Sequence, residues 1–316
     1  MSIQWFPGHM HLTRKAITER LDDTDVVIEL LDARLPGSSA NPLLASLIGA
    51  KPTLKVLNKQ DLADPERNTL WLAHYNAQPQ TRAVLLDASE IAPAQKLIKA
   101  CFELDPERGG MVKPMRVLIC GIPNVGKSTL INSLVKKRAA HTGDEAGITR
   151  REQRVVLADD FYLYDTPGML WPKITVPESG YRLAASGAVG RNAYDERDVA
   201  MALLGYLREQ YATGLTARYK LPSLDVGNDE ALLSAIGTRR GCLQGKGRVD
   251  LQKAAEIVLT EFRGGQLGRV TLETPDEFLA WKTAADAAEA QKAADKAAKE
   301  AARKGRAVRP PAPADR

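Results

Sequence analysis

Short apolar runs alternate with amphipathic stretches through the first half of this 316-residue chain. The apolar runs have the length of buried strands and lie at residues 25–32, 53–57 and 82–86. Stretches with helical spacing accompany them at residues 42–47, 65–75 and 92–102. This alternation predicts a parallel sheet covered by helices on both faces. Two further runs predict a hairpin of strands, at residues 153–157 and 161–165.

After residue 177 the hydrophobic pattern becomes helical. Residues 197–211 have helical periodicity, residues 228–236 begin at a capping Asn and end before Gly237, and residues 250–263 begin at a capping Asp. We therefore predict an α/β domain followed by an all-helical C-terminal domain. The expected divisions are an N-terminal arm with a helix at its end (1–24), the α/β domain (25–177), the helical domain (178–282) and a flexible Ala/Lys-rich tail (283–316).

Residues 121–128 (GIPNVGKS), here called the phosphate loop, fit the pattern G-x-x-x-x-G-K-S. An apolar run precedes them and an amphipathic stretch follows, which is the strand–loop–helix context that this motif requires. Backbone N–H groups of such a loop form a cradle for phosphates, with Lys127 at the β- and γ-phosphates and the Ser128 hydroxyl on Mg²⁺. The residues expected to hold the nucleotide here are Pro123, Asn124, Val125, Gly126, Lys127, Ser128 and Thr129.

Residues 58–61 (NKQD), here called the base-recognition segment, directly follow a predicted strand. The Asp61 carboxylate can accept two hydrogen bonds, from N1–H and the exocyclic amine of guanine. Adenine has no such pair of donors, so this residue favours a guanine nucleotide. We expect Asn58 to tie the segment to the phosphate loop and the Lys59 stem to lie over the base, with Gln60 beside it.

Three further segments complete a nucleotide site. Asp87, Ala88 and Ser89 follow the next strand, where a backbone N–H would contact the guanine carbonyl, although a plain loop fits the local sequence equally well. In residues 165–168 (DTPG), Asp165 would hold Mg²⁺ through water and the Gly168 N–H would contact the γ-phosphate. Thr149 would complete the Mg²⁺ shell when a γ-phosphate is present.

These segments are those of translation-factor-like GTPases, but the base-recognition segment comes before the phosphate loop. The order predicts a circularly permuted P-loop GTPase domain, in which residues 105–114 bridge the usual chain ends. The helical domain then directly follows the segments that sense the γ-phosphate. We expect the nucleotide state at Thr149 and Gly168 to be felt by residues after Pro172.

The permuted order and several segments resemble the ribosome biogenesis GTPase A family, also called YlqF. The segments are residues 5–10 (WFPGHM), 32–36 (DARLP), 41–42 (NP), 121–132 (GIPNVGKSTLIN) and 165–172 (DTPGMLWP). The likeness covers about residues 1–280 and leaves out the Ala-rich tail. The resemblance implies a GTPase that acts late in assembly of the large ribosomal subunit and whose helical domain contacts ribosomal RNA.

The residue after the DTPG segment is Met169, where classical GTPases have a Gln that positions the attacking water. The resemblance points to His9 as the catalytic residue in its place. Lys127 and Thr149 are the other expected catalytic residues, from the motifs that contain them. A His in a Pro-Gly turn is the alternative interpretation. Asn124 is a candidate ligand for K⁺, as in related GTPases, or simply a residue that stabilises the loop.

The formal net charge of +5 is concentrated near the end of the sequence, since residues 282–316 hold nine Lys/Arg and five Asp/Glu. This favours a basic tail that touches polyanions. A second basic segment in the helical domain contains Arg239, Arg240, Lys246 and Arg248 among glycines. It suits phosphate contacts, although a solvated loop is equally consistent with the sequence alone.

The three Cys lack metal-ligand spacing, no apolar run approaches a membrane span, and residues 1–10 do not resemble a signal peptide. We therefore expect a cytoplasmic monomer that binds GTP or GDP and Mg²⁺, with K⁺ as a further candidate ion. Its expected partners are the large ribosomal subunit and its RNA, and no membrane. Two alternatives stay open at this point: a signalling switch whose partner is a protein, and an ATPase.

Overall fold

The computed structural model describes residues 3–6, 8–87, 91–110, 112–135, 153–158 and 160–307. Within these residues one sheet is formed by β1 (Val26–Asp32), β2 (Thr53–Asn58), β3 (Thr81–Leu86), β4 (Met115–Gly121), β5 (Gln153–Ala158) and β6 (Phe161–Asp165). Its strand order is β3-β2-β1-β4-β6-β5, and every pair is parallel except β5 with β6. The predicted parallel sheet and hairpin are confirmed.

The position of β4 decides where a site can form. This strand leads into the phosphate loop and lies between β1 and β6 in the sheet. The carboxyl ends of β1, β2, β4 and β6 therefore meet at one edge, which is where open α/β sheets bind ligands. All seven residues of β1 are buried, as expected for a strand covered on both faces.

Five helices accompany the sheet in the described chain: α2 (Pro36–Ser39), α3 (Pro42–Ile48), α4 (Pro65–Asn76), α5 (Ile91–Leu104) and α6 (Lys127–Val135). Their beginnings follow from the sequence. Asn41 caps α3 by accepting from Leu43 N and Leu44 N, and Asp64 caps α4 by accepting from two backbone N–H groups. A Pro at the first helical position supports both starts.

The helical domain contains α7 (Pro177–Ser186), α8 (Glu196–Gln210), α9 (Ala212–Tyr219), α10 (Asp229–Arg239) and α11 (Leu251–Arg263). Helix α8 lies at its centre, because α7, α9, α10 and α11 all pack on it. Its apolar face contributes Val199, Leu203 and Leu207, all buried. Helix α10 continues through Gly237 to Arg239, three residues beyond the predicted end at residue 236. A Cβ on Gly237 would lie 2.6 Å from Val249 Cγ1, so glycine allows the close packing at this position.

The first and last helices of the described chain precede and follow the two domains. Helix α1 (His9–Leu21) buries Met10, Ile17 and Leu21. Helix α12 (Pro275–Ala307) begins at a capping box, in which Thr274 N donates to Glu277 Oε2 (2.7 Å) and Glu277 N donates to Thr274 Oγ1 (3.2 Å). Across the described residues, no helix is long and apolar enough to cross a membrane.

The first turn of α12 contacts both domains, since Glu277 accepts a hydrogen bond from the Tyr206 hydroxyl on α8 (3.4 Å) and Phe278 packs on the α/β domain. Phe278 packs with its ring centroid 6.1 Å from that of Trp71 on α4. The indole nitrogen of Trp71 donates to Glu273 O (3.0 Å), just before the helix begins. The rest of α12 is largely exposed up to residue 300, and the flexibility expected of the tail stays a prediction.

Candidate functional site

The phosphate loop connects β4 to α6 at the centre of the sheet edge. Its backbone includes two residues with positive φ, Asn124 (57°) and Gly126 (101°). A Cβ on Gly126 would lie 2.4 Å from Asn58 Nδ2, so a side chain at this position would collide with the neighbouring segment. Lys127 is the first residue of α6 and is 7% exposed. The N-terminal amides of α6 therefore point towards the loop, as anion binding requires.

The base-recognition segment lies beside the phosphate loop at the end of β2. Asn58 Nδ2 donates to Val125 O at 2.7 Å, and Lys59 Nζ donates to Asn124 O at 2.9 Å. Lys59 has a left-handed backbone (φ 63°), which turns the chain into the short 3₁₀ turn Gln60–Leu62. This turn holds Asp61 exposed at the sheet edge, where a carboxylate can reach a base whose phosphates occupy the neighbouring loop.

Asp32 is a site residue to which the sequence analysis gave no role. It ends β1 opposite Asn58 of β2, and its carboxylate accepts from Lys59 Nζ (3.0 Å), Arg34 Nε (2.9 Å) and Arg34 Nη2 (2.8 Å). Burial acts to raise the pKa of Asp32, but the positive charges of Arg34 and Lys59 lower it below its usual range. Asp32 thus stays ionised and fixes the Lys59 stem. The sequence signal that could have indicated this role is the carboxylate at the end of β1, the strand next to β2.

Asp165 has the environment of a metal-binding carboxylate. It ends β6, is 1% exposed, and neither of its carboxylate oxygens has a hydrogen-bond partner in the described chain. Burial raises its pKa to about 6, against the opposing charge of Lys127. An unpaired buried carboxylate is costly unless a cation compensates it. Together with the hydroxyl of Ser128, this oxygen donor suits Mg²⁺, which binds hard oxygen ligands and retains water.

The segment after β6 packs tightly under the phosphate loop. A Cβ on Gly168 would lie 2.8 Å from Pro123 Cα, so glycine is needed for this approach. Met169 is 2% exposed, and its N–H donates to Gly121 O at 3.1 Å. Its carbonyl accepts from Asn41 Nδ2 at 2.9 Å. The Met169 side chain lies in the core and does not take the place of a water-positioning Gln.

Asn124 links the phosphate loop to the helical domain. Its Nδ2 donates to Gly187 O at 2.9 Å, at the end of α7. Arg263, the last residue of α11, donates to the carbonyls of Ala184 and Ala185 on the same helix end. The helical domain therefore reaches the nucleotide edge through α7, a helix that the sequence analysis did not predict because Ser, Gly and Ala weaken its pattern.

Several predicted site residues lie outside the described part of the chain. They are Thr149, Ala88 and Ser89, and the side chain of His9 is also among the parts not described. Asp87 directly follows β3, on the edge where the other segments meet. His9 is the first residue of α1. The roles of all the predicted nucleotide-binding and catalytic residues stay predictions.

The basic segment of the helical domain forms a compact turn rather than an open loop. Leu243 and Val249 pair as an antiparallel bridge around the 3₁₀ turn Gly245–Gly247. Arg240 is engaged inside the domain, because its Nη2 lies 2.8 Å from Glu261 Oε1 and its guanidinium lies over the Tyr219 ring. Arg239 and Arg248 are exposed. Arg240 therefore has a structural contact that the sequence analysis did not anticipate.

A family model described as "50S ribosome-binding GTPase" matches residues 116–210, which span the phosphate loop and the start of the helical domain. Together with the permuted sheet, this match defines the class of the chain as a circularly permuted P-loop GTPase. Ribosome biogenesis GTPase A of Bacillus cereus is 45% identical over 285 residues, covering 88% of this chain and 96% of the relative. The chain therefore belongs to the ribosome biogenesis GTPase A family.

More distant relatives and solved structures agree with this assignment. Mitochondrial ribosome-associated GTPase 1 of Xenopus tropicalis is 33% identical over 294 residues, covering 85% of this chain and 94% of the relative. The GDP-bound structure of TM YlqF has a TM-score of 0.64 at 25% identity and covers 83% of this chain and 99% of that chain. GNP-bound YlqF from T. maritima has a TM-score of 0.59 at the same identity, covering 84% and 98%.

Proposed function

We propose that this protein is a GTP-hydrolysing assembly factor that binds the immature large ribosomal subunit and acts late in its maturation. Its family comprises ribosome biogenesis GTPases, so GTP hydrolysis and a role in ribosome assembly follow from membership. The structural observation that carries the proposal is the contact between Asn124 of the phosphate loop and Gly187 of the helical domain. A domain held at the nucleotide site in this way can change its binding with the nucleotide state.

Guanine selectivity rests on Asp61 in this proposal. Asn58 and Lys59 anchor the segment to the phosphate loop, so the carboxylate of Asp61 keeps a fixed distance from the phosphates. A site that accepts two hydrogen bonds from a base rejects a base that lacks those donors by a large factor. Residues 87–89 complete the guanine contact through a backbone N–H.

Mg²⁺ is assigned to the hydroxyl of Ser128, with Asp165 acting through water and Thr149 joining when a γ-phosphate is bound. When bound, the ion neutralises charge that develops on the phosphate oxygens. This assignment is supported by the buried carboxylate of Asp165, whose oxygens have no side-chain partner among the described residues. Lys127 brings a second positive charge to the β- and γ-phosphates, and the Gly168 N–H donates to the γ-phosphate.

The Met169 side chain is buried in the core, so another residue has to position the water. We assign this role to His9, as the resemblance to the family implies. A His that orients water has to do little proton abstraction, since phosphoryl transfer passes through a loose transition state. K⁺ bound near Asn124 would add positive charge at the phosphates. In that case the oxygen of the Asn124 amide is the ligand, because its nitrogen donates to Gly187.

The helical domain is proposed to bind ribosomal RNA of the large subunit. Arg239 and Arg248 are exposed near the compact turn Gly245–Gly247, and Lys246 lies within it. Such cations contact phosphates and so recognise RNA by shape rather than by base sequence. The basic tail adds a second contact with polyanions. We propose that the protein acts as a cytoplasmic monomer.

GTP hydrolysis by the purified protein, measured alone and with large ribosomal subunits, tests the proposal. We expect slow hydrolysis alone, clear stimulation by large subunits and little by small subunits, with a higher rate in K⁺ than in Na⁺. Lys127→Ala controls for contaminating GTPases in the subunits. The absence of stimulation, together with no co-sedimentation at moderate salt, would rule out the ribosomal assignment and leave a GTPase with another partner.

A further inference from the structure

The segment between α11 and α12 leaves the helical domain and crosses the loops that follow β1 and β2. We call residues 264–273 the strap. Val270 N donates to Leu62 O at 2.9 Å, and Leu272 N donates to Arg34 O at 2.6 Å. The strap therefore makes backbone hydrogen bonds with both loops, including the one that continues from the base-recognition segment.

Thr271 fixes the strap between these two loops. It is fully buried (0% exposed), its Oγ1 donates to Ala33 O at 3.1 Å, and the same oxygen accepts from Asp64 N at 3.1 Å. One hydroxyl thus joins the loop after β1 to the loop after β2. A buried group with both hydrogen bonds satisfied resists displacement, because moving it leaves polar partners unpaired.

Arg269 contacts the turn that carries Asp61. Its Nε donates to Ala63 O at 2.9 Å, and its Nη2 donates to Gln60 O at 3.1 Å. The two carbonyls flank Asp61 on either side of the turn. With the bond from Val270 N to Leu62 O, three carbonyls of this short stretch accept hydrogen bonds from the strap.

The opposite side of the same turn is held by the phosphate loop, through Asn58 and Lys59. Lys59 has a left-handed backbone that a residue with a Cβ adopts at some cost. The position of Asp61 therefore depends on anchors at both sides of the turn. One anchor is the phosphate loop, and the other is the strap.

We propose that Arg269 is a positioning residue for guanine recognition: carried by the strap, its guanidinium holds the turn so that the Asp61 carboxylate meets N1–H and the 2-amino group together. This inference rests on the guanine-binding role proposed above for Asp61 and deepens it. An arginine fork fixes two acceptors in one geometry, which a lysine cannot do. Because the strap continues from α11, this contact would couple the affinity for guanine to the binding of a partner by the helical domain.

The test compares binding of GDP with binding of inosine diphosphate, which lacks the 2-amino group, to the full-length protein. Arg269→Met keeps the apolar stem and removes both donors. We expect the preference for GDP over inosine diphosphate to shrink by about 3- to 10-fold, since each such hydrogen bond changes an equilibrium by roughly that amount. Arg269→Lys should restore part of the preference.

Arg197→Met is the matched control, because Arg197 is also an exposed arginine that makes two side-chain hydrogen bonds, both to Asp195 of the helical domain. It should leave the preference unchanged. An unchanged preference in Arg269→Met, or an equal loss in the control, would overturn the inference. Asp61→Asn distinguishes failure of the proposed base contact from failure of the inference about Arg269. If Asp61→Asn keeps the guanine preference, the base contact fails and the inference fails with it. If Asp61→Asn loses the preference and Arg269→Met keeps it, only the inference fails.

Discussion

Asn41 connects the start of α3 to the segment after β6, which we propose senses the γ-phosphate. Its buried side chain accepts from Leu43 N (3.0 Å) and Leu44 N (3.2 Å) through Oδ1, while Nδ2 donates to Met169 O at 2.9 Å. Met169 directly follows Gly168, whose N–H we propose as a donor to the γ-phosphate. Replacing Asn41 by Ser keeps an oxygen that can cap the helix and removes the donor to Met169.

The size of the effect follows from the burial of the acceptor. Met169 is 2% exposed, so its carbonyl loses its partner in a place that water does not readily reach. An unpaired buried polar group costs about 1–3 kcal/mol. Part of this cost destabilises the protein in every nucleotide state. The rest destabilises only the GTP-bound state, in which Gly168 has to be held in place. We expect affinity for a non-hydrolysable GTP analogue to fall on the order of tenfold relative to GDP affinity.

Titration of the wild type and Asn41→Ser with GDP and with the analogue, in Mg²⁺, gives the ratio directly. Asn228→Ser is the matched control, because Asn228 caps α10 through Ala231 N (2.8 Å) in the helical domain. The control should lower thermal stability slightly and leave the ratio unchanged. An unchanged ratio in Asn41→Ser, or the same change in both variants, would refute the reasoning.

Three further predictions concern catalysis and ions. His9→Ala should lower subunit-stimulated turnover by roughly 10- to 100-fold and leave GTP affinity nearly intact; a large loss of affinity would indicate a structural role instead. Asp165→Asn should raise the melting temperature of the nucleotide-free protein, because it removes a buried negative charge whose desolvation is costly; it should also raise the Mg²⁺ concentration needed for hydrolysis, and a lower melting temperature would contradict this. Asn124→Ala should abolish the difference between hydrolysis rates in K⁺ and Na⁺, and a retained difference would place K⁺ elsewhere.

The sheet and the phosphate loop could be predicted because their signals are local. Apolar runs of strand length identify β1, β2 and β4, and the fixed spacing of residues 121–128 identifies the loop. The permuted order also needed only the positions of motifs along the chain. The parallel sheet and the family were both confirmed on this basis.

The contacts that join the domains could not be predicted, because they link residues far apart in sequence. Arg34 donates to Phe262 O across 228 positions, and Thr271 donates to Ala33 O across 238. The strap has no helical or strand periodicity, and Arg269 within it looks like any exposed arginine. Asp32 was visible in a motif, but its role depends on the register that places it opposite Asn58.

The most direct test of the central claim is hydrolysis of GTP and xanthosine triphosphate by Asp61→Asn in the presence of large ribosomal subunits. Xanthine carries a carbonyl where guanine carries the 2-amino group, so an amide at position 61 can pair with it where a carboxylate cannot. We predict that subunits stimulate the variant with xanthosine triphosphate and no longer with GTP. Unchanged stimulation with GTP, or none with either nucleotide, would contradict the account of a guanine site coupled to the ribosome.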